Sequence, residues 1–245
     1  LKRLCSGARS LLFYIGYIPV VFVFSVLAFT VGWFLPFRPR QTLITSANGL
    51  IILWLRITCG VRLRVIGREN IPRTPFVALS KHQSSWETYY LQRLFRPAST
   101  LLKKELLYIP FFGWGLAMTR PIAIDRSNPR VALKQVLALG KQRLAEGNNL
   151  VIYPEGTRIK PGQVGNYGRS GAAIAIAAQV PIVPVAHNAG NCWPAHRFIK
   201  YPGTITVVIG APIVTANQDS KALTEVVQAW IETALDGYLH LDEGR

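Results

Sequence analysis

Two short windows carry the side chains best suited to chemistry. In Lys81-His-Gln-Ser-Ser-Trp-Glu87, His82 follows a short apolar run and precedes a helical pattern, the position where α/β sheets expose functional side chains. Imidazole is the side chain best poised to take a proton near neutral pH. A carboxylate on its other nitrogen fixes the tautomer and steadies the imidazolium that forms. Glu87, five residues on, comes within reach across a strand-to-helix turn. The same residues also read as Ser84-x-x-Glu87, a capping box in which the glutamate only closes a helix. In the second window, Val151-Ile-Tyr-Pro-Glu-Gly-Thr-Arg158, an apolar strand runs into a Pro-Glu-Gly turn. Arg158 presents a planar fork suited to phosphate, and Gly156 lets backbone approach a ligand closely. Glu155 either orients Arg158 or caps the turn. Taken alone, this window is an ordinary turn with a surface arginine.

The elements that must position these residues alternate between strand and helix periodicity. Val61 to Ile66, Phe76 to Leu79, Thr100 to Leu102, Pro121 to Ile124, Leu150 to Tyr153, Ile182 to Val185 and Thr204 to Ile209 read as strands. Helices are expected over Ser84–Phe95, from Asn128-Pro129 to Glu146, over Ser170–Ala178 and over Ser220–Leu239. The pattern predicts an α/β domain over residues 61–245, a mixed central sheet with helices on its faces.

Residues 1–60 have a different texture. Lys2, Arg3 and Arg9 precede an uncharged apolar stretch from Leu11 to Phe37, which Pro19 interrupts and Pro36 ends, with Arg38 and Arg40 beyond. A helix of that length reaches across a ~30 Å hydrocarbon core, but basic residues at both ends give no orientation by the positive-inside rule. Embedding in one leaflet and a true span are equally compatible with this pattern. From Leu43 to Ile57, apolar residues recur at three- and four-residue spacing, as in an amphipathic helix, which Cys59-Gly60 terminates. These N-terminal helices are expected to be membrane-associated.

Across 245 residues, 28 Lys and Arg against 12 Asp and Glu leave a formal net charge of +16, while half of the residues are hydrophobic. Disorder is excluded by that hydrophobicity, and a polytopic transporter by having one apolar run of spanning length. Cys5, Cys59 and Cys192 are odd in number and scattered, so the thiols read as free in a cytosol-facing setting. Such an excess of positive charge predicts an anionic partner. Placed beside a long apolar segment, it favours acidic lipid over nucleic acid.

The two windows taken together carry more. His82-x4-Glu87 followed roughly seventy residues later by Glu155-Gly-Thr-Arg158 resembles the glycerolphosphate acyltransferase superfamily. More closely, it is similar to bacterial 1-acyl-sn-glycerol-3-phosphate (lysophosphatidic acid) acyltransferases. Lys103-Lys-Glu-Leu106, leading through Ile109-Pro-Phe-Phe-Gly113 to Ile124-Asp-Arg126, is similar to that family's second block, and Val180-Pro-Ile-Val-Pro-Val185 to its fourth. The resemblance covers about residues 61–213, with four blocks in order. It implies the family's α/β fold and a His82 general base that deprotonates the acceptor hydroxyl. The alkoxide then attacks an acyl thioester directly, without an acyl-enzyme. Glu87 stands where the family usually has Asp. Lys103, Arg126 and Arg158 match positions that bind the acceptor's phosphate, with Gly156 and Thr157 shaping that pocket and Glu155 holding its loop.

The resemblance further implies lysophosphatidate as acceptor and acyl-CoA or acyl carrier protein as co-substrate, with no other cofactor. It implies membrane lipids as partners, no nucleic acid, and an inner-membrane location with the site facing the cytoplasm. The acyl chain is expected in an apolar tunnel. Two alternatives stay open: another lysolipid acceptor, or a non-catalytic lipid-binding protein. His187, His196 and His240 lack Cys or His neighbours at ligand spacing, so no metal is expected. Gly168-Arg-Ser-Gly171 has Ala172 where a serine-hydrolase elbow needs Gly, and Ser170 is expected only to cap a helix.

Overall fold

The computed structural model of the protein describes residues 2–125 and 129–239. Seven strands, β1 (Val61–Ile66), β2 (Val77–Ser80), β3 (Ala98–Lys103), β4 (Ile122–Ile124), β5 (Asn149–Ile152), β6 (Ile182–His187) and β7 (Gly203–Ile209), form one sheet in the order β1-β7-β6-β2-β5-β3-β4. Adjacent pairs are parallel except β6 with β7. This is the mixed sheet that the alternation predicts. The helices are α1 (Lys2–Thr30), α2 (Phe37–Cys59), α3 (Trp86–Leu94), α4 (Phe112–Ala117), α5 (Pro129–Ala145), α6 (Ser170–Ala178), α7 (Ala189–Cys192) and α8 (Ser220–Leu239).

The strands explain why both faces are covered. Side chains alternate across a strand, so Phe76, Ala78, Val151, Val183 and Val207 join one core cluster. Val77, Leu79, Leu150, Ile152 and Val208 join the other. The first cluster is completed by Phe13 of α1, Ile51 and Leu55 of α2, and Trp86 and Leu91 of α3. The second is closed by Val136 of α5, Ile174 of α6, and Leu223, Val227 and Ile231 of α8. The N-terminal helices therefore share a core with the sheet. Each face buries apolar surface at about 25 cal/mol per Å², the main term holding the layers together.

α1 and α2 run antiparallel. Arg9 Nε donates to Thr58 O at 2.8 Å, the Trp54 indole donates to Phe13 O at 3.1 Å, and Arg40 packs against Gly32 at the hairpin's tip. Pro19 does not interrupt α1 as its type suggests; the helix runs through it. A proline removes one backbone bond and tends to kink a helix. Here Tyr14, Tyr17, Val20 and Val21 anchor both sides of it against the core. α2 begins at Phe37, earlier than its apolar periodicity shows, and Gly60 ends it in the left-handed region at φ 71°. The opposite side of the hairpin leaves Leu11, Ile15, Ile18, Phe22, Trp33 and Phe34 exposed.

Candidate active site

Parallel strands bring their carboxyl ends to one edge of the sheet, where ligands of α/β folds bind. β2 and β5 are neighbours, with Leu79 level with Ile152. The two chemical windows leave the sheet directly after these strands and so emerge side by side.

The first window makes a tight loop before α3. One oxygen of Glu87, Oε1, accepts three N–H groups: His82 Nδ1 at 2.9 Å, Gln83 N at 2.8 Å and Ser84 N at 2.7 Å. Ser84 Oγ in turn accepts from Trp86 N at 3.0 Å. The capping and histidine-orienting readings of Glu87 are thus both present on the same atom. The Glu87 side chain is fully buried. Burial pushes its carboxyl up, but the imidazoles of His187 and His82 and the Ser84 N–H outweigh that and hold it below its ordinary value. An ionised carboxylate only accepts. Nδ1 of His82 therefore carries the ring proton, and Nε2 is left with a lone pair.

The histidine is held from other directions as well. Its ring stacks on Tyr153, centroids 4.2 Å apart at 21°, and the Tyr153 phenol is pushed up by burial and by Glu87. The His82 carbonyl accepts from Ile159 N at 2.8 Å. Its backbone N–H donates to Glu155 Oε2 at 2.9 Å. Glu155 is buried and turned inwards, so it holds the loop and does not face a ligand. Arg158 Nε donates to Ser84 O at 3.1 Å, tying the guanidinium to the histidine loop. Gly156, at φ 66°, and Thr157 are exposed on the same turn.

Lys103 is exposed at the end of β3, and Arg126 lies outside the described residues. Ser170 is the first residue of α6 and its side chain makes no cap bond.

Three side chains that sequence reasoning missed belong to this site. Lys81 is fully buried beside Glu155. His187 accepts from Ala189 N at Nδ1 (3.3 Å) and so donates from Nε2 to Lys81 O (2.8 Å); burial holds its imidazole below the ordinary value. Tyr17 of α1 shares a 2.6 Å hydroxyl–hydroxyl bond with Tyr89 of α3. Only the Lys81-His82 adjacency carried any signal in the sequence.

A cavity of about 410 Å³ is lined by Tyr153, on which the histidine stacks, and by Arg158, Ser85 and Thr88. Its remaining wall is mostly apolar and comes from α1 (Tyr17, Val21, Phe24), α2 (Ile44, Ala47, Ile51), β3 and α4. A base with an oriented lone pair, a tethered guanidinium and a greasy cavity suit an amphiphile bearing an alcohol and an anion.

Comparison with known proteins decides the family. An acyltransferase family model matches residues 62–188. The chain is 46% identical, over 94% of its length and 91% of the relative's, to a 1-acyl-sn-glycerol-3-phosphate acyltransferase of Pseudomonas aeruginosa. The chain belongs to the 1-acyl-sn-glycerol-3-phosphate acyltransferase family. A yeast acyltransferase of the same name, from Saccharomyces cerevisiae, is 28% identical over 71% of this chain and 59% of its own. The crystal structure of the 1-acyl-sn-glycerophosphate (LPA) acyltransferase from Thermotoga maritima superposes with a TM-score of 0.82 at 19% identity, covering 100% of this chain and 99% of that one. The two chains thus share one fold.

The hydrogen bonds on Glu87 predict a pH signature for this acyltransferase. A carboxyl held below its ordinary 4.5 contributes stability that is complete above that value and lost as pH falls through the lowered folded value. Thermal unfolding of wild type and Glu87→Gln should therefore differ at neutral pH, with wild type the more stable. The gap should narrow below pH 4.5, and a gap constant down to the acid limit would exclude the charged contact.

Proposed function

We propose that this acyltransferase moves a fatty acyl group from acyl-CoA or acyl carrier protein to the free hydroxyl of lysophosphatidate, giving phosphatidate. The observation that carries this reading is the Arg158–Ser84 bond, which ties a guanidinium lining a mostly apolar cavity to the loop that holds His82. Nε2 of His82 takes the proton of the acceptor hydroxyl as its oxygen attacks the thioester carbonyl. Glu87 steadies the imidazolium. The tetrahedral adduct then collapses, the carbon–sulfur bond breaks, and the thiolate takes the proton from the imidazolium. Arg158, with Lys103 and Arg126, holds the acceptor's phosphate, while Gly156 and Thr157 shape the approach. The acyl chain occupies the cavity beneath α1 and α2. No other cofactor takes part.

Among the described residues α1 and α2 are both long and apolar enough to cross a membrane, where the sequence alone shows one such run. α1 nevertheless has one side committed to the core and the other lined with exposed Leu11, Ile15, Ile18 and Phe22. A helix with one side packed against α2 and α4 is not ringed by lipid. This one-sided packing supports a hairpin embedded in one leaflet, and our reading puts that leaflet in the inner membrane with the catalytic edge towards the cytoplasm, where basic residues add roughly 1 kcal/mol each near anionic lipid.

Thiol release from acyl-CoA with a panel of lysolipid acceptors tests this reading. His82→Ala should abolish transfer at an unchanged melting temperature, and activity within threefold of wild type would remove the assigned role. Arg158→Ala should raise the KM for lysophosphatidate far more than that for the acyl donor; equal effects would move Arg158 out of the acceptor site. Ala47→Leu, which thrusts bulk into the cavity, should shift the preference to shorter acyl chains, at about 1–3 kcal/mol per excluded methylene. An unaltered product profile would place the chain elsewhere.

A further inference from the structure

The family match ends at residue 188, yet the catalytic loop is pinned from beyond it. The Lys81 ammonium lies 2.8 Å from Glu155 Oε1 and 2.7 Å from Glu232 Oε1, and donates to Gln163 O at 3.1 Å. The side chains of Lys81 and Glu155 have no solvent exposure, and that of Glu232, on α8, has 21%. Glu232 Oε1 also accepts from Tyr167 OH at 2.9 Å. Glu155, on its other oxygen, holds the His82 N–H. A continuous chain of contacts thus runs from α8 through one buried cation to the backbone of His82, and pins the 153–168 loop that carries Arg158 at both Glu155 and Gln163.

A buried ion cluster is a poor source of stability, because removing charges from water costs several kcal/mol per ion and packed apolar residues of similar volume often do as well. What it supplies is direction: two carboxylates from different elements are held at fixed distances by one ammonium. We propose that Lys81 and Glu232 are positioning residues for acyl transfer, setting through Glu155 and the 153–168 loop where His82 and Arg158 stand relative to each other. This inference rests on the roles given above to His82 and Arg158. The cavity wall of α1, α2 and β3 lies outside the clamp, so the acyl donor's share of the site does not depend on it.

Glu232→Ala removes the outer anchor at a partly exposed helix position where alanine is well tolerated. Displacements near 1 Å cost about a hundredfold at a reacting centre, so kcat should fall by at least ~10-fold. The KM for lysophosphatidate should rise several-fold and that for acyl-CoA stay unchanged. Glu232→Gln, which keeps an acceptor oxygen, should restore most of the loss. Tyr167→Phe should shift both constants in the same direction by less, and decides the matter if the alanine variant fails to fold. Wild-type constants in a folded variant, or a loss of active protein with both KM values unchanged, would overturn the proposal. His82→Ala, run in parallel, separates the two levels: an active alanine variant defeats the histidine's assigned role, whereas an inactive one beside an unaffected Glu232→Ala defeats only the clamp.

Discussion

Glu87 Oε1 accepts three N–H groups within 2.9 Å, and the rest of the site is arranged around that contact. Two of the donors are backbone groups of the loop between β2 and α3, so the carboxylate shapes the turn at the same time as it orients the imidazole. In a buried position each of those donors would otherwise be left unpaired at about 1–3 kcal/mol. Folding of the turn and preparation of the base are one event. α3 begins only at Trp86, so the loop before it brings both backbone donors to the same carboxylate oxygen.

Local contacts of this kind are what a sequence displays. His82, Glu87 and the cap at Ser84 lie within six residues, so their meeting follows from a single turn. The alternation of Val77, Ala78 and Leu79, or of Leu150, Val151 and Ile152, likewise announces a strand covered on both faces. Contacts across long separations left no such trace. Lys81 meets Glu232 over 151 residues and Tyr17 meets Tyr89 over 72. Nothing in the spacing of those residues signals the pairing. Pro19 misled for a related reason: its local preference is to break a helix, and only packing from distant elements keeps α1 continuous.

The cavity illustrates how the layers divide the labour. Part of its lining comes from loops and α3 at the carboxyl edge of the sheet, and the rest from α1, α2, α4 and β3. The polar end is rigid because hydrogen bonds and an ion cluster tie each group to two elements. The apolar end rests on side-chain packing, in which a change of one methyl group alters the available length without disturbing the turn at Glu87. The polar and the apolar ends can therefore vary separately.

The shared core has one more consequence, which concerns how the polypeptide is made. Phe13, Ile51 and Leu55 are buried against strands that come later in the chain, so on emerging from the ribosome the first two helices have no sheet to pack on. Lipid can shield their outer flank at once, but the inner one stays bare until β6 and β7, more than a hundred residues further on, have been synthesised. Translation at the bilayer surface would keep that bare flank from finding another nascent chain first.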